Sequence, residues 1–431
     1  MTTSATPLPT SSATSRVTLL SAHTSPLSQP GTGDGGGLNV YVREVSARLA
    51  QRGHDVQVLT RRTDADDPSE IRLPSGVVVR HVDAGPPEPV PKPDLPSMLC
   101  SFAMQARPLI RPDDVIHSHY WLSGWVARRL ARHLGIPFVH TFHTIGVMKN
   151  QALAPGDVPE PPLRLEAERR IASDAARVLA LTCGEGRLLH RHFGLSGARI
   201  TTVPAGVDVD LFRPAGSDPT GTLVPDGDPD DPLVATLSDA GPIVLFVGRL
   251  QPLKGPDIAI ESLARLRREV PDARLVVVGG VSGAGAGLSG PDELRTLAES
   301  LGVGDAVTFL PAMDQDRLAA LYRAAAAVVV PSRSETFGLV ALEAQSSATP
   351  VVAADVEGLQ YVVRDGGTLV AGHDPDDYGA ALARYLLDPE RAARTGAAGR
   401  AWAMQSSWDV TVDRLEAVYR EVAPEPAAAC A

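Results

Sequence analysis

Basic residues never accumulate in this chain. Its 431 residues hold 40 Lys and Arg against 51 Asp and Glu, a formal net charge of −11. Without a basic footprint, neither nucleic acid nor an anionic membrane surface is an expected partner. Cysteine is almost missing. Cys100, Cys183 and Cys430 lie far apart, with no C-x-x-C pair and no metal-ligand spacing, which predicts reduced thiols and a cytoplasmic location. Long hydrophobic runs are lacking too; "AAAAVVVP" falls well short of a membrane span, so no integral membrane association is expected. The opening "MTTSATPLPTSSATS" has neither the basic region nor the apolar segment of a secretory signal and reads as a disordered tail over 1–15.

What the chain does have is a globular balance of 44% hydrophobic and 21% charged residues, at a length that predicts two domains. Short β-branched runs alternate with amphipathic stretches. "RVTLLSA" (16–22), "DVQVLT" (55–60), "GVVVRHV" (76–82), "DVIHSH" (114–119), "PFVHTFH" (137–143) and "RVLALT" (177–182) read as strands, with a helix over 39–53. The Pro-, Gly- and Asp-rich stretch 214–241 reads as linker plus insertion, after which the rhythm restarts at "PIVLFVGRL". The fold expected is α/β, with two doubly wound, Rossmann-like parallel sheets facing a cleft. The domains would be 16–213 and 242–405, and a helix within 406–431 would return to the first domain.

Three stretches carry candidate chemistry. Five glycines in seven positions (31–37) lead into a helix, as either a slack turn or a surface where a ligand meets backbone N–H groups. Gly31, Gly33 and Gly36 satisfy G-x-G-x-x-G, but eight residues separate them from the expected strand end, which weakens a dinucleotide reading. In "VGRLQPLKGPD", Arg249 and Lys254 sit at a strand end, either as solvated charges or as a fork and a point charge for a diphosphate. In "PSRSETFGLVALEAQ", Glu335 and Glu343 are eight apart and share one side of a helix that begins near Thr336. Such a pair is either a solvated helix face or a set of acceptors for sugar hydroxyls, with Gly338 and Leu339 offering N–H groups at the helix end. His117 and His119 form an H-x-H that could ligate a metal, although neighbouring strand positions more often divide between core and tip.

Together these stretches resemble the retaining glycosyltransferases of family 4, which have the GT-B fold. The resemblance runs from about residue 16 to 420 and rests on the E-x7-E pair, the Arg249/Lys254 clamp and the glycine loop. "HTSPLSQPGTGDGGGLNVYV" and "DVIHSHYWLSG" look most like the branch that glycosylates an inositol phosphate in mycothiol synthesis. The resemblance implies a nucleotide sugar, UDP-GlcNAc, bound by Gln29, Pro30, Gly37, Arg249, Lys254, Glu335 and Glu343. It implies an acceptor site of His23, Asp34, Asn39, Lys92, Tyr120, Thr144 and Arg164, in which Lys92, Tyr120, Thr144 and Arg164 hold a phosphate. Arg249, Lys254, Glu335 and His143 would serve the reaction centre. No cofactor is essential, although relatives can carry Mg²⁺ on backbone oxygens at positions matching Tyr322, Arg323, Ala325 and Thr349. Relatives are often homodimers. Glu357 replaces a usual glycine, which would bring a carboxylate near the sugar. That departure leaves other acceptors open, such as an aminocyclitol or a natural-product intermediate, as well as a silent nucleotide-sugar binder on the same fold.

Overall fold

A computed structural model describes residues 15–153, 158–214, 216, 231–280 and 290–423. Most of the expected tails (1–14 and 424–431) and the insertion over 217–230 lie outside the described residues. The first sheet contains β1 (Arg16–Leu20), β2 (Asp55–Arg61), β3 (Glu70–Arg72), β4 (Val78–Val82), β5 (Val115–His119), β6 (Phe138–Thr141), β7 (Arg177–Ala180) and β8 (Ile200–Thr202). Their order is β3-β4-β2-β1-β5-β6-β7-β8, parallel except for β3 against β4. The second contains β9 (Ile243–Val247), β10 (Arg274–Val278), β11 (Val307–Leu310), β12 (Ala325–Val330), β13 (Val351–Ala354) and β14 (Gly367–Val370), in the order β11-β10-β9-β12-β13-β14 and wholly parallel. "IVLFV" and "RLVVV" carry no alternation because helices cover both faces of the sheet.

In each sheet the order reverses beside the first strand, between β1 and β5 and between β9 and β12. Loops leaving those strand ends diverge, and the divergence opens a crevice. The two crevices face each other across the cleft.

Two expectations change. The linker does not extend to residue 241. Pro232–Ser238 is a helix, capped by Asp231, whose carboxylate accepts from the Leu233 N–H at 2.9 Å, and it buries Leu233 and Thr236. Proline at the first helical position hid this start among the linker prolines. The helix carrying Glu343 spans Leu339–Ser346 rather than starting near Thr336, because Gly338 ahead of it is left-handed at φ +103°. Glu335 therefore sits in the loop after β12.

The chain crosses between domains twice, near 203–213 and 404–407. The crossings touch, with the Val207 N–H donating to the Ser406 carbonyl at 3.0 Å. The last described helix, Trp408–Val422, then lies on the first domain. Trp408 meets Tyr41 edge-on, the Tyr419 hydroxyl lies 2.7 Å from His117 Nδ1, and Arg52 pairs with Asp409 and Asp413. No helix among the described residues is long and apolar enough to cross a membrane.

Candidate functional site

A cavity of about 630 Å³ occupies the cleft, walled by loops from both sheets. The glycine loop joins its two sides. The Gly31 carbonyl accepts from the Gly280 N–H at 2.9 Å, and the Gln29 side chain donates to the Met313 carbonyl at 2.6 Å. Gly31 has φ +88°, and a Cβ there would stand 3.0 Å from Ala312 Cβ, so bare backbone is what lets the domains meet. Pro30 and Gly37 also line the cavity.

On the side of the second domain, Arg249 follows β9 and makes no hydrogen bond or ion pair among the described residues. Burial pulls its pKa below the usual arginine value, and Asp34 and Glu335 act on it only from longer range. Lys254 Nζ lies 2.5 Å from Glu335 Oε2. Glu343 is buried, accepts from the Tyr322 hydroxyl at 2.8 Å and has its pKa pushed up to about 7 by desolvation. An unmatched guanidinium, a lysine and a helix N-terminus thus surround one space suited to a polyanion.

On the side of the first domain, cations and carboxylates alternate. Arg164 is buried; Nε donates to Glu168 at 2.7 Å, Nη1 to the Tyr120 hydroxyl at 3.1 Å, and Nη2 to the Thr144 carbonyl and hydroxyl. Burial alone would lower its pKa, but Tyr120, Glu168 and Glu160 outweigh that and raise it. Glu160 sits between Arg164 at 3.0 Å and Lys149 at 2.6 Å, and Lys92 pairs with Asp34 at 3.4 Å. His23 packs at a tilt of 35° against Tyr120 with 4.5 Å between centroids, and burial, reinforced by Lys92, holds it neutral.

Between the two sides stands His143, just past β6 and left-handed at φ +60°; Tyr120, just past β5, has φ +68°. Strained non-glycine residues at two strand ends mark the place where the fold gives up backbone comfort to aim side chains. Burial lowers the His143 pKa to about 3.

The structure therefore brings Gln29, Pro30, Gly37, Arg249, Lys254, Glu335, Glu343, His143, His23, Asp34, Lys92, Tyr120, Thr144 and Arg164 around one cavity. Asn39 is not among them. It is buried beneath the loop, donating to Thr24 Oγ1 and the Ser25 carbonyl and accepting from the Gly36 N–H, so it builds the glycine loop. Glu357 is also away from the cavity wall and pairs with Arg187 of the first domain at 3.1 Å. Lys149, Glu160 and Glu168 escaped the sequence reading, although the i,i+4 spacing of Glu160, Arg164 and Glu168 was a readable signal of paired charge.

His117 and His119 are both buried. His117 is bonded to Tyr419 and Thr141, and among the described residues no group of His, Cys, Asp and Glu could hold a metal ion. The expected Mg²⁺ positions meet where the helix Gln315–Ala324 gives way to β12. There the Tyr322 carbonyl already accepts from the Thr349 hydroxyl at 2.6 Å, an arginine side chain is adjacent, and the set contains no carboxylate.

Comparison with known proteins gives a consistent result. The model of "Glycosyltransferase Family 4" matches residues 35–211 and that of "Glycosyl transferases group 1" matches 234–402. A D-inositol 3-phosphate glycosyltransferase of Acidothermus cellulolyticus is 49% identical over 421 residues, covering 95% of this chain and 91% of the relative. One from Mycobacterium avium is 48% identical, covering 95% of each. Among solved structures, a sucrose-phosphate synthase from Thermosynechococcus elongatus superposes with a TM-score of 0.82 at 31% identity, over 94% of this chain and 98% of that one.

Proposed function

We propose a specific reaction for this chain, which belongs to the retaining glycosyltransferases of family 4 and has their GT-B fold. It transfers N-acetylglucosamine from UDP-GlcNAc to a hydroxyl of 1D-myo-inositol 3-phosphate. The observation that carries the reading is the unmatched Arg249 beside the Lys254–Glu335 pair, facing Lys92 and Arg164 across the same cavity. The acceptor is further supported by relatives near 48% identity that bear its name.

In this reading the diphosphate lies against Arg249, Lys254 and the N–H groups at Leu339. Glu335 takes a sugar hydroxyl, and Glu343 takes the ribose. Gln29, Pro30 and Gly37 border the nucleotide sugar. The acceptor phosphate engages Lys92, Tyr120, Thr144 and Arg164, while His23 and Asp34 border the ring. Positive charge fixed in advance stabilises the departing diphosphate as the anomeric carbon becomes cationic. The bond from that carbon to the phosphate oxygen breaks, the bond to the acceptor oxygen forms on the same face, and the acceptor proton passes to the leaving phosphate. No step needs a metal.

One observation favours a second reading of the acceptor. Lys92, Lys149 and Arg164 are each already matched by a carboxylate, so a phosphate competes with Asp34 or Glu160, whereas an aminocyclitol, which brings no anion, does not. The deciding assay mixes the enzyme with UDP-GlcNAc and 1D-myo-inositol 3-phosphate and follows UDP release and product mass. A product heavier by one N-acetylhexosamine is expected. No product, with UDP-GlcNAc still raising the melting temperature, would keep the donor and transfer the case to the second acceptor.

A further inference from the structure

We propose that His119 is a positioning residue that fixes His143 as a neutral Nδ1–H donor aimed into the cavity. The inference rests on the reading of His143 as a wall of the reaction centre, but its main test needs no substrate.

His119 is the last residue of β5 and fully buried. Its Nδ1 lies 3.0 Å from Nε2 of His143, so within this pair one nitrogen donates and the other accepts. Two arrangements of neutral rings satisfy that. In the first, His119 Nδ1–H donates to His143 Nε2, leaving the proton of His143 on Nδ1. In the second, His143 Nε2–H donates, and the proton of His119 moves to its own Nε2.

The far side of His119 decides between them. Its Nε2 is buried with no hydrogen-bond partner, enclosed by the rings of His117 at 4.2 Å and Tyr41 at 5.6 Å between centroids. The second arrangement would bury an N–H donor there with nothing to receive it. The first leaves only a bare lone pair, which protein interiors tolerate better than an orphaned N–H. Sharing an extra proton is disfavoured, because burial holds both histidines neutral and the neighbouring rings reinforce this at His119. Nδ1 of His143 makes no hydrogen bond among the described residues, and its ring forms part of the cavity wall.

The consequence is chemical. A ring with hydrogen on its open nitrogen gives a hydrogen bond to a sugar or phosphate oxygen, and it cannot take the acceptor proton through that atom. His143 is then a donor and not a general base, which leaves the proton to the departing phosphate.

The test is the tautomer itself. The full chain, labelled with ¹⁵N-histidine, is examined at neutral pH by two-bond ¹H–¹⁵N correlation, with the His143 signal assigned by its loss in His143→Gln. Wild-type His143 is expected as the Nδ1–H form. His119→Asn keeps an N–H where Nδ1 stood, so it should preserve that form and hold kcat within a few-fold. His119→Leu removes the donor, and with it the hydrogen bond that holds the His143 ring in place. In that variant kcat should fall by roughly tenfold to a hundredfold, with KM for both substrates changed far less. An Nε2–H wild type overturns the proposal, as does wild-type kcat in a folded His119→Leu. Should His119→Leu fail to fold, the wild-type spectrum and His119→Asn still decide it.

Discussion

The two sides of the cavity handle positive charge differently. On the donor side Lys254 is matched by Glu335, but Arg249 stands without a partner, and desolvation works against its charge. On the acceptor side each cation is balanced, Lys92 by Asp34, Lys149 by Glu160, and Arg164 by Glu160 and Glu168. Unmatched charge gives a ligand its full Coulomb attraction and weakens the empty fold. Matched charge stabilises the empty fold and makes the ligand compete with a carboxylate already present. The donor side is thus built for strength, and the acceptor side for selection.

The largest effect should come from breaking the balanced side. Arg164→Ala strands Glu168, which is fully buried and receives the Gly146 N–H at 2.9 Å on one oxygen and 3.1 Å on the other. Losing one member of such a buried pair costs about 3–5 kcal/mol, so a marked drop in melting temperature should accompany loss of acceptor binding. An unchanged melting temperature would show that Glu168 does not depend on Arg164. Arg249→Ala should behave in the opposite way. It should cost roughly 10²–10³-fold in kcat/KM, while the melting temperature holds or rises, since a desolvated, unmatched cation has gone. A folded variant with wild-type turnover would remove Arg249 from the site.

Next in size is a pH effect on the donor side. Burial raises Glu343 from 4.5 to about 7, so between those values the folded chain holds a proton that the unfolded chain releases. Stability from this group is present below about pH 4.5 and is lost as pH rises to about 7. At 1.36 kcal/mol per pKa unit the loss is on the order of 3 kcal/mol. Glu343→Gln should therefore gain on wild type in denaturant unfolding at pH 8 and gain little at pH 4.5; an equal difference at both would refute the raised pKa. The buried histidines, all shifted down, act the other way as pH falls below 6.5 and cancel in the comparison. The smallest effect belongs to the wall between the sides. Gly31→Ala meets a left-handed backbone and Ala312 Cβ, and should cost about 1–2 kcal/mol. It should also loosen the Gly280 contact, seen as faster amide exchange at Gly280 with the cores unchanged.

Much of this was legible in order along the chain. A strand such as "PIVLFVGRL" announces itself because a buried parallel strand is a continuous apolar run. The edge strands "EIR" and "ITT" do not, because three residues are too few to show a period. Arg249, Lys254 and Glu335 could be picked out by residue type at loop positions. Asn39 misled for the same reason: a polar residue beside glycines looks the same whether its partners are ligand hydroxyls or Thr24 and Ser25. The role of Gly31 was out of reach, since its carbonyl meets Gly280 and its missing side chain makes room for Ala312, both far away in sequence. His119 was seen as one half of an H-x-H and weighed as a metal ligand. Its bond to His143 depends on the register of β5 beside β6, which spacing along the chain does not reveal.

The paired crossings have a mechanical consequence. Two segments that run side by side, joined at Val207 and Ser407, act as a door hinge and not as a ball joint. With the terminal helix anchored through Arg52 to Asp409 and Asp413, the crossings resist twisting more than bending about their common line. At the free edge of that door sit the latches, Gln29 on Met313, Arg43 on Gln315 and Gly31 on Gly280. Any opening of the cleft would have to release these three, since each has one member in the first domain and one in the second.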